Sequence, residues 1–199
     1  MEEYKNNKKQ LILQRGKLQL ENLEYTRKNI KELTNIIYGA IGENLVVKEI
    51  QKLPDNFVLI NDFNLTFSPP IYYKKYHERI NSIQIDHLLI SNAGIFILET
   101  KNWSQSSVNS INLRSPVKQI ERSNFALYKY ISEKITLNKH HWGEKKIPIR
   151  NVIVMIENKP IGEFKYVSVK TLKELNNYVT YFKPIFTESE TLEIINELS

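Results

Sequence analysis

The sequence predicts an α/β domain, a mixed sheet flanked by helices, with a helical arm in front of it. Three observations carry this. Between Phe57 and Val169, short apolar runs of strand length are interrupted by a longer stretch whose apolar residues recur at helical spacing. Two of the strand-like runs, residues 83–90 and 95–101, are separated only by a tight Asn92-Ala93-Gly94 turn, which makes them a β-hairpin. The first 34 residues are polar, proline-free and rich in Lys, Gln, Glu, Asn and Leu, the composition of an exposed helix.

In the arm, Tyr4, Leu11, Leu18 and Tyr25 recur every seven residues, but no companion apolar position sustains a second stripe beside them, so this repeat gives a strict coiled coil little support. A solvated arm and a homodimer interface are both compatible with that pattern, and the expected division is an arm over 1–34 and a packed domain over 35–199. Thr34 has the form of an N-cap for a helix carrying Ile37, Ile41, Leu45 and Val46, which Leu53-Pro54-Asp55-Asn56 stops. Residues 57–60 and 65–67 read as a strand broken at Asn61-Asp62, and 68–79, with Pro69-Pro70 and three tyrosines, as an irregular loop or hairpin tip. After the 83–101 hairpin comes a Ser/Asn-rich link, then Ser115-Pro116 as cap and first residue of a helix with Ile120, Leu127, Ile131 and Ile135 on its inner face. Residues 151–156 are nearly all apolar, as in a strand buried on both faces. A strand at 166–169, a helix at 172–182 capped by Thr171, and a last helix at 192–198 with a Thr187/Glu190 capping box complete the chain.

Composition narrows the function. A chain of 199 residues, 41% hydrophobic, supports one full core. A formal charge of +6 favours polyanionic partners. Without cysteine, disulfides, thiolate catalysis and zinc-thiolate sites are excluded. No apolar run reaches membrane-spanning length and Met1-Glu2-Glu3-Tyr4-Lys5 is not a signal peptide, so a cytoplasmic protein with no membrane partner is expected.

The hairpin concentrates the chemistry. If Ser91 to Gly94 forms the turn, Ile90 pairs with Ile95, and counting back sets Asp86 opposite Glu99, with Lys101 on the same face and Thr100 turned away. Opposed carboxylates repel, so the arrangement calls for a compensating charge; a divalent metal ion with Lys101 beside it supplies one. A structural ion-pair cluster is the alternative. His87, alternating away from Asp86, reads as a satisfied core histidine, and Trp103 as a packing residue. His140 and His141 are adjacent and so do not share a helix face, which argues against a zinc site. Tyr72, Tyr73 and Tyr76 with Lys74, Lys75 and Arg79 form the best aromatic-basic cluster, a candidate nucleic-acid contact to which Lys118 is added; an ordinary surface loop would look the same.

An acid on one strand and Glu-x-Lys on the next, set between two helices, resembles the PD-(D/E)xK nuclease superfamily, and within it the nuclease-related domain family. The matching blocks run in order over about residues 38–156: Gly39-Ala40-Ile41-Gly42-Glu43, Ile60-Asn61-Asp62, Ile85-Asp86-His87, Asn92-Ala93-Gly94-Ile95-Phe96, Glu99-Thr100-Lys101-Asn102-Trp103 and Ser115-Pro116-Val117-Lys118-Gln119. The chain departs from the family pattern at Gln105 and Ser115 and in a short link between Trp103 and Pro116. The resemblance implies a restriction-endonuclease-like core (α-β-β-β-α-β) and a Mg²⁺- or Mn²⁺-dependent nuclease acting on DNA rather than RNA. Asp86 and Glu99 would hold the metal and Lys101 would act on the water or the developing charge. It also implies that Glu43 completes the metal shell and that Gln119 holds the water or a phosphate. A module that keeps the fold and binds nucleic acid or protein without useful catalysis is the alternative.

Overall fold

The computed structural model describes residues 2–103, 114–135, 137, 145–159 and 164–199. It divides into two compact units, Met1–Ile41 and Gly42–Ser199. The first is helix throughout its described length. The second holds a five-stranded sheet in the order β1-β2-β3-β4-β5, formed by β1 (Val58–Tyr73), β2 (Glu78–Ser91), β3 (Gly94–Lys101), β4 (Ile149–Met155) and β5 (Ser168–Thr171). The first three strands form an antiparallel meander; β3, β4 and β5 run parallel. With its helices this is an α/β, restriction-endonuclease-like fold. Among the described residues no helix is long and apolar enough to cross a membrane.

Two helical layers cover the sheet. On one face lie α2 (Arg114–Lys134), with Ile120, Ala126, Leu127 and Ile131 buried, and α4 (Glu188–Leu198), with Ile194 and Leu198 buried. On the other lie Val46 and Ile50 of α1 (Glu2–Ile50) and Leu175 and Val179 of α3 (Leu172–Thr180). Strand alternation divides β3 between them: Ile95 and Ile97 enter the α2 side, Phe96 and Leu98 the other. β4, all but its first two residues buried, matches the expectation of an interior strand. The expected Thr187/Glu190 capping box is present, Thr187 Oγ1 accepting from the Glu190 N–H at 3.2 Å; Thr171 caps its helix as expected and forms a second box there, Glu174 accepting from the Thr171 N–H at 2.7 Å.

Three expectations are corrected. Thr34 caps nothing; α1 runs from Glu2 to Ile50, and the Thr34 hydroxyl donates to the Ile30 carbonyl one turn back at 2.7 Å. Residues 68–73 belong to β1, an edge strand, where prolines cost no interior ladder bond; Pro69 and Pro70 fall in the irregularity between Thr66 and Ile71. The hairpin tip shrinks to a 3₁₀ turn at Lys74–Tyr76, closed by His77 in the left-handed region. Ser115 lies inside α2, which already includes Arg114. The Gln105 position, most of the link after Trp103, His140 and His141 lie outside the described residues.

The β2–β3 turn is held from several sides. Asn92 O accepts from the N–H groups of Ile185 and Phe186, Ile95 N–H donates to Pro148 O at 2.9 Å, and Arg150 Nη1 donates to Ala93 O at 2.8 Å while its guanidinium lies 3.9 Å from the Phe182 ring centroid. Gly94, at φ +121°, has no room for a side chain: a Cβ there would lie 2.6 Å from Pro148 O. The register of the whole hairpin starts at this residue. Gly94→Ala is therefore expected to destabilise the protein by about 2 kcal/mol or more, read as a lower midpoint of urea unfolding.

Candidate active site

The β2–β3 register is the one counted from the sequence, from Ser91↔Gly94 through Ile90↔Ile95 to His87↔Leu98. There the ladder ends. Beyond it β2 continues against β1 and β3 against β4, as far as Lys101↔Met155. At the parting, Asp86 Oδ2 accepts the Thr100 backbone N–H at 2.9 Å, a carboxylate taking a bond that a strand carbonyl would otherwise take. Where simple counting sets Asp86 directly across from Glu99, Asp86 instead spans the gap to the next residue's backbone.

The parting coincides with a change of face. Ile85 and Leu88 both enter the α2-side core although they are an odd number of residues apart, and on β1 so do Ile60 and Phe63. Strict alternation forbids this, so both strands turn over at Asn61-Asp62 and Asp86-His87. Asp62 carries the change with φ 51°. His87 is buried there, its Nδ1 2.7 Å from Asn61 Oδ1; Nε2 has no partner among the described residues, and burial lowers the ring's pKa despite Asp86. It is a core histidine bonded through one nitrogen only.

On β3, Glu99 and Lys101 share a face, as residues two apart on a strand must. Glu99 is 3% exposed, and its Oε1 accepts from Lys101 Nζ at 2.5 Å. Burial raises the Glu99 carboxyl above its ordinary value; Asp86 and Glu43 push the same way and Lys101 opposes them.

Glu43 arrives from the opposite helical layer. Its neighbour Gly42 lets α1 lie close on the end of the sheet: a Cβ at Gly42 would meet Asn102 Cβ at 3.1 Å and Thr100 Cγ2 and Ile156 Cγ1 at 3.3 Å. Glu43 is exposed as a residue, yet its carboxyl is raised by partial burial, then by Asp86 and Asp62, with Lys101 opposing. Glu43 is thus within electrostatic reach of Asp62 and Asp86, and Glu99 of Asp86 and Glu43, with Lys101 opposing at both. Asp62, which the reading of the sequence left out of the site, sits in the β1 register between Asn61↔His87 and Phe63↔Ile85, hence across from Asp86, and its Oδ1 accepts from Gln84 Nε2 at 2.6 Å. The signal for it was the polar break Asn61-Asp62 within an apolar strand.

Gln119 is exposed on α2, past its first turn, and makes no hydrogen bond among the described residues. Trp103 packs half-buried against the α2-side core. The tyrosine-lysine hairpin tip folds onto α2: Tyr73 stacks on Phe125 with centroids 4.3 Å apart, Tyr76 Oη donates to Glu121 at 2.5 Å, and Lys75 pairs with the same carboxylate. Lys118 pairs with Glu78 at 3.4 Å, while Lys74 and Arg79 are exposed.

An all-oxygen donor set in negative excess suits a hard cation. Among the described residues no three of His, Cys, Asp and Glu converge into a ready-made cage, and Mg²⁺, which keeps several waters, needs only one or two carboxylates plus a substrate phosphate. Asp86 and Glu99 fit that need.

The raised Glu99 carboxyl has a stability consequence. A folded-state pKa above 4.5 means that the native protein holds the proton more tightly than the unfolded chain, so this group's contribution falls as pH rises from about 4.5 through the folded value. Glu99→Gln abolishes it. Melting temperatures measured from pH 4.5 to 8 are expected to shift in favour of Glu99→Gln relative to wild type as pH rises through the folded value, and to level off above it. Gly42→Val is expected to cost about 1–3 kcal/mol by overpacking, measured by urea unfolding. Gly39→Val, whose Cβ would meet nothing within 4 Å, is expected to cost no stability.

A model of one protein family, the nuclease-related domain (NERD), matches residues 38–156, a span that begins just before Gly42-Glu43 and takes in Asp62, Asp86, Glu99, Lys101 and Gln119. No curated protein and no solved structure matches the chain. The match covers more than half of the sequence and every strand that frames the carboxylate cluster, and the chain belongs to the nuclease-related domain family.

Proposed function

We propose that this nuclease-related domain hydrolyses phosphodiester bonds in a metal-dependent reaction, with DNA as the favoured substrate and Mg²⁺ or Mn²⁺ as the cofactor. The observation that carries the reading is the meeting of Asp86, Glu99 and Lys101 where β2 and β3 part, with Glu43 delivered from α1. Asp86 and Glu99 would hold the ion. When bound it would polarise a phosphodiester oxygen and acidify a coordinated water. Lys101, 20% exposed at its side chain and paired with Glu99, would orient that water or meet the negative charge that develops on the phosphate. Glu43 is a third oxygen donor at the rim, and Gln119 a candidate to hold a phosphate or the water. The net charge of +6 favours a polyanionic substrate.

One observation favours the second reading, a binding module without catalysis: the carboxylate of Glu99 is engaged by Lys101 at 2.5 Å, an arrangement that an ion would have to rearrange.

Cleavage of supercoiled, linear and single-stranded DNA, with RNA as comparison, separates the two. The nuclease reading expects cutting with Mg²⁺ or Mn²⁺, none with EDTA, and losses of about 100-fold or more for Asp86→Ala and Lys101→Ala. It also expects Mg²⁺ to raise the melting temperature of wild type but not of Asp86→Ala. Activity indifferent to both substitutions sinks it, whereas salt-dependent binding that survives Glu99→Ala without any cutting establishes the module.

A further inference from the structure

The helical unit Met1–Ile41 carries an apolar stripe different from the one its sevenfold repeat suggests. Leu23, Ile30 and Ile37 are seven apart; Thr26, Leu33 and Ala40 follow each by three; Leu13, Leu20 and Ile41 fall on the adjoining line of the same face. Ile12 extends it. The eight large side chains of this set are 48–66% exposed, and within this unit, a helix alone, nothing covers them. From Leu13 to Ile41 the stripe is about 42 Å long at 1.5 Å per residue.

We propose that this stripe pairs with the same stripe of a second copy of the chain, in a parallel, in-register two-stranded coiled coil centred on Leu23–Ile41. The residues argue for this occupant. Positions 23, 30 and 37 are the a positions and 26, 33 and 40 the d positions of a heptad. β-Branched residues at a with Leu at d, as in Ile30, Leu33 and Ile37, are the combination that favours two parallel strands. In that register the flanking pairs between copies are Asn22 with Arg27, Asn29 with Thr34, and Ile36 with Ile41, so no like charges meet and the last pair adds apolar contact. Eight half- to two-thirds-exposed aliphatic side chains offer an area on the order of the roughly 800 Å² per partner that a stable interface buries. A two-fold contact needs one patch complementary to itself, and an a/d stripe is that by construction. Thr26 at d, the polar member of the central layers, favours alignment with itself over a slipped register.

The full-length protein tests this by light scattering and sedimentation. Wild type is expected at twice the 23.5 kDa chain mass, the triple variant Ile30→Glu/Leu33→Glu/Ile37→Glu at the single mass with the melting transition of the sheet domain unchanged, and Asn35→Glu, on the outer face, at the doubled mass. In this cysteine-free chain, Leu33→Cys is expected to form an interchain disulfide under mild oxidation and Asn35→Cys to form none. A monomeric wild type at about 0.1 mM would leave the stripe to a helix of another protein and overturn the proposal. So would a doubled mass that survives the triple substitution, or equal cross-linking at positions 33 and 35.

Discussion

A strand that leaves its neighbour strands a backbone donor behind it. Where β2 departs from β3 after His87↔Leu98, the Thr100 N–H loses the carbonyl that the ladder would have offered, and an unpaired buried peptide N–H costs about 1–3 kcal/mol. Asp86 Oδ2 satisfies it. The same bond that stabilises the parting of the strands therefore fixes an acid at its apex, beside Glu99 and Lys101 of β3. The fork, the acid and the alignment of Glu99 with Lys101 are one structural solution, and the tightly held turn at Gly94 sets where along the strands it falls.

The electrostatics of the cluster run against the stability of the isolated chain. A carboxylate as buried as Glu99 gives up hydration, and its attraction to Lys101 returns only part of that, because Asp86 and Glu43 repel it. Asp62 adds repulsion at Glu43. Structures keep such arrangements where something else is gained, and accumulation of raised carboxyl groups in one place is a mark of a functional site. The two helical layers contribute unequally: the sheet supplies acids whose backbone is fixed by ladders, and α1 supplies Glu43 through a close approach that the missing side chain of Gly42 permits.

Much of this was legible in the sequence where the rule is local and strict. A two-residue turn and a period of two determine a register, so the hairpin from His87 to Leu98 followed from counting. The capping box at Thr187 followed from its spacing to Glu190, and the cap at Thr171 from its place before an apolar helix. What could not be read depended on competition between signals. Thr34 has the chemistry of a cap, but its surroundings favour helix on both sides, and its hydroxyl bonds back within the helix instead. Two adjacent prolines argue for a loop until the strand is known to lie at the sheet's edge. The overturning of β1 and β2 at Asp62 and Asp86 breaks the alternation on which face assignments rest, so Asp62 came to the cluster unannounced.

The docking of the β1–β2 tip on α2 changes what its lysines are worth. Binding to a polyanion gains much of its free energy from ions released by the phosphates that protein cations neutralise. Lys75 and Lys118 already have anions of their own, in Glu121 and Glu78. A phosphate arriving there would have to displace a carboxylate rather than fill an open position, and little counterion entropy would follow. Lys75 and Lys118 thus brace the tip and the helix, and Lys74 and Arg79 are exposed cations of this edge.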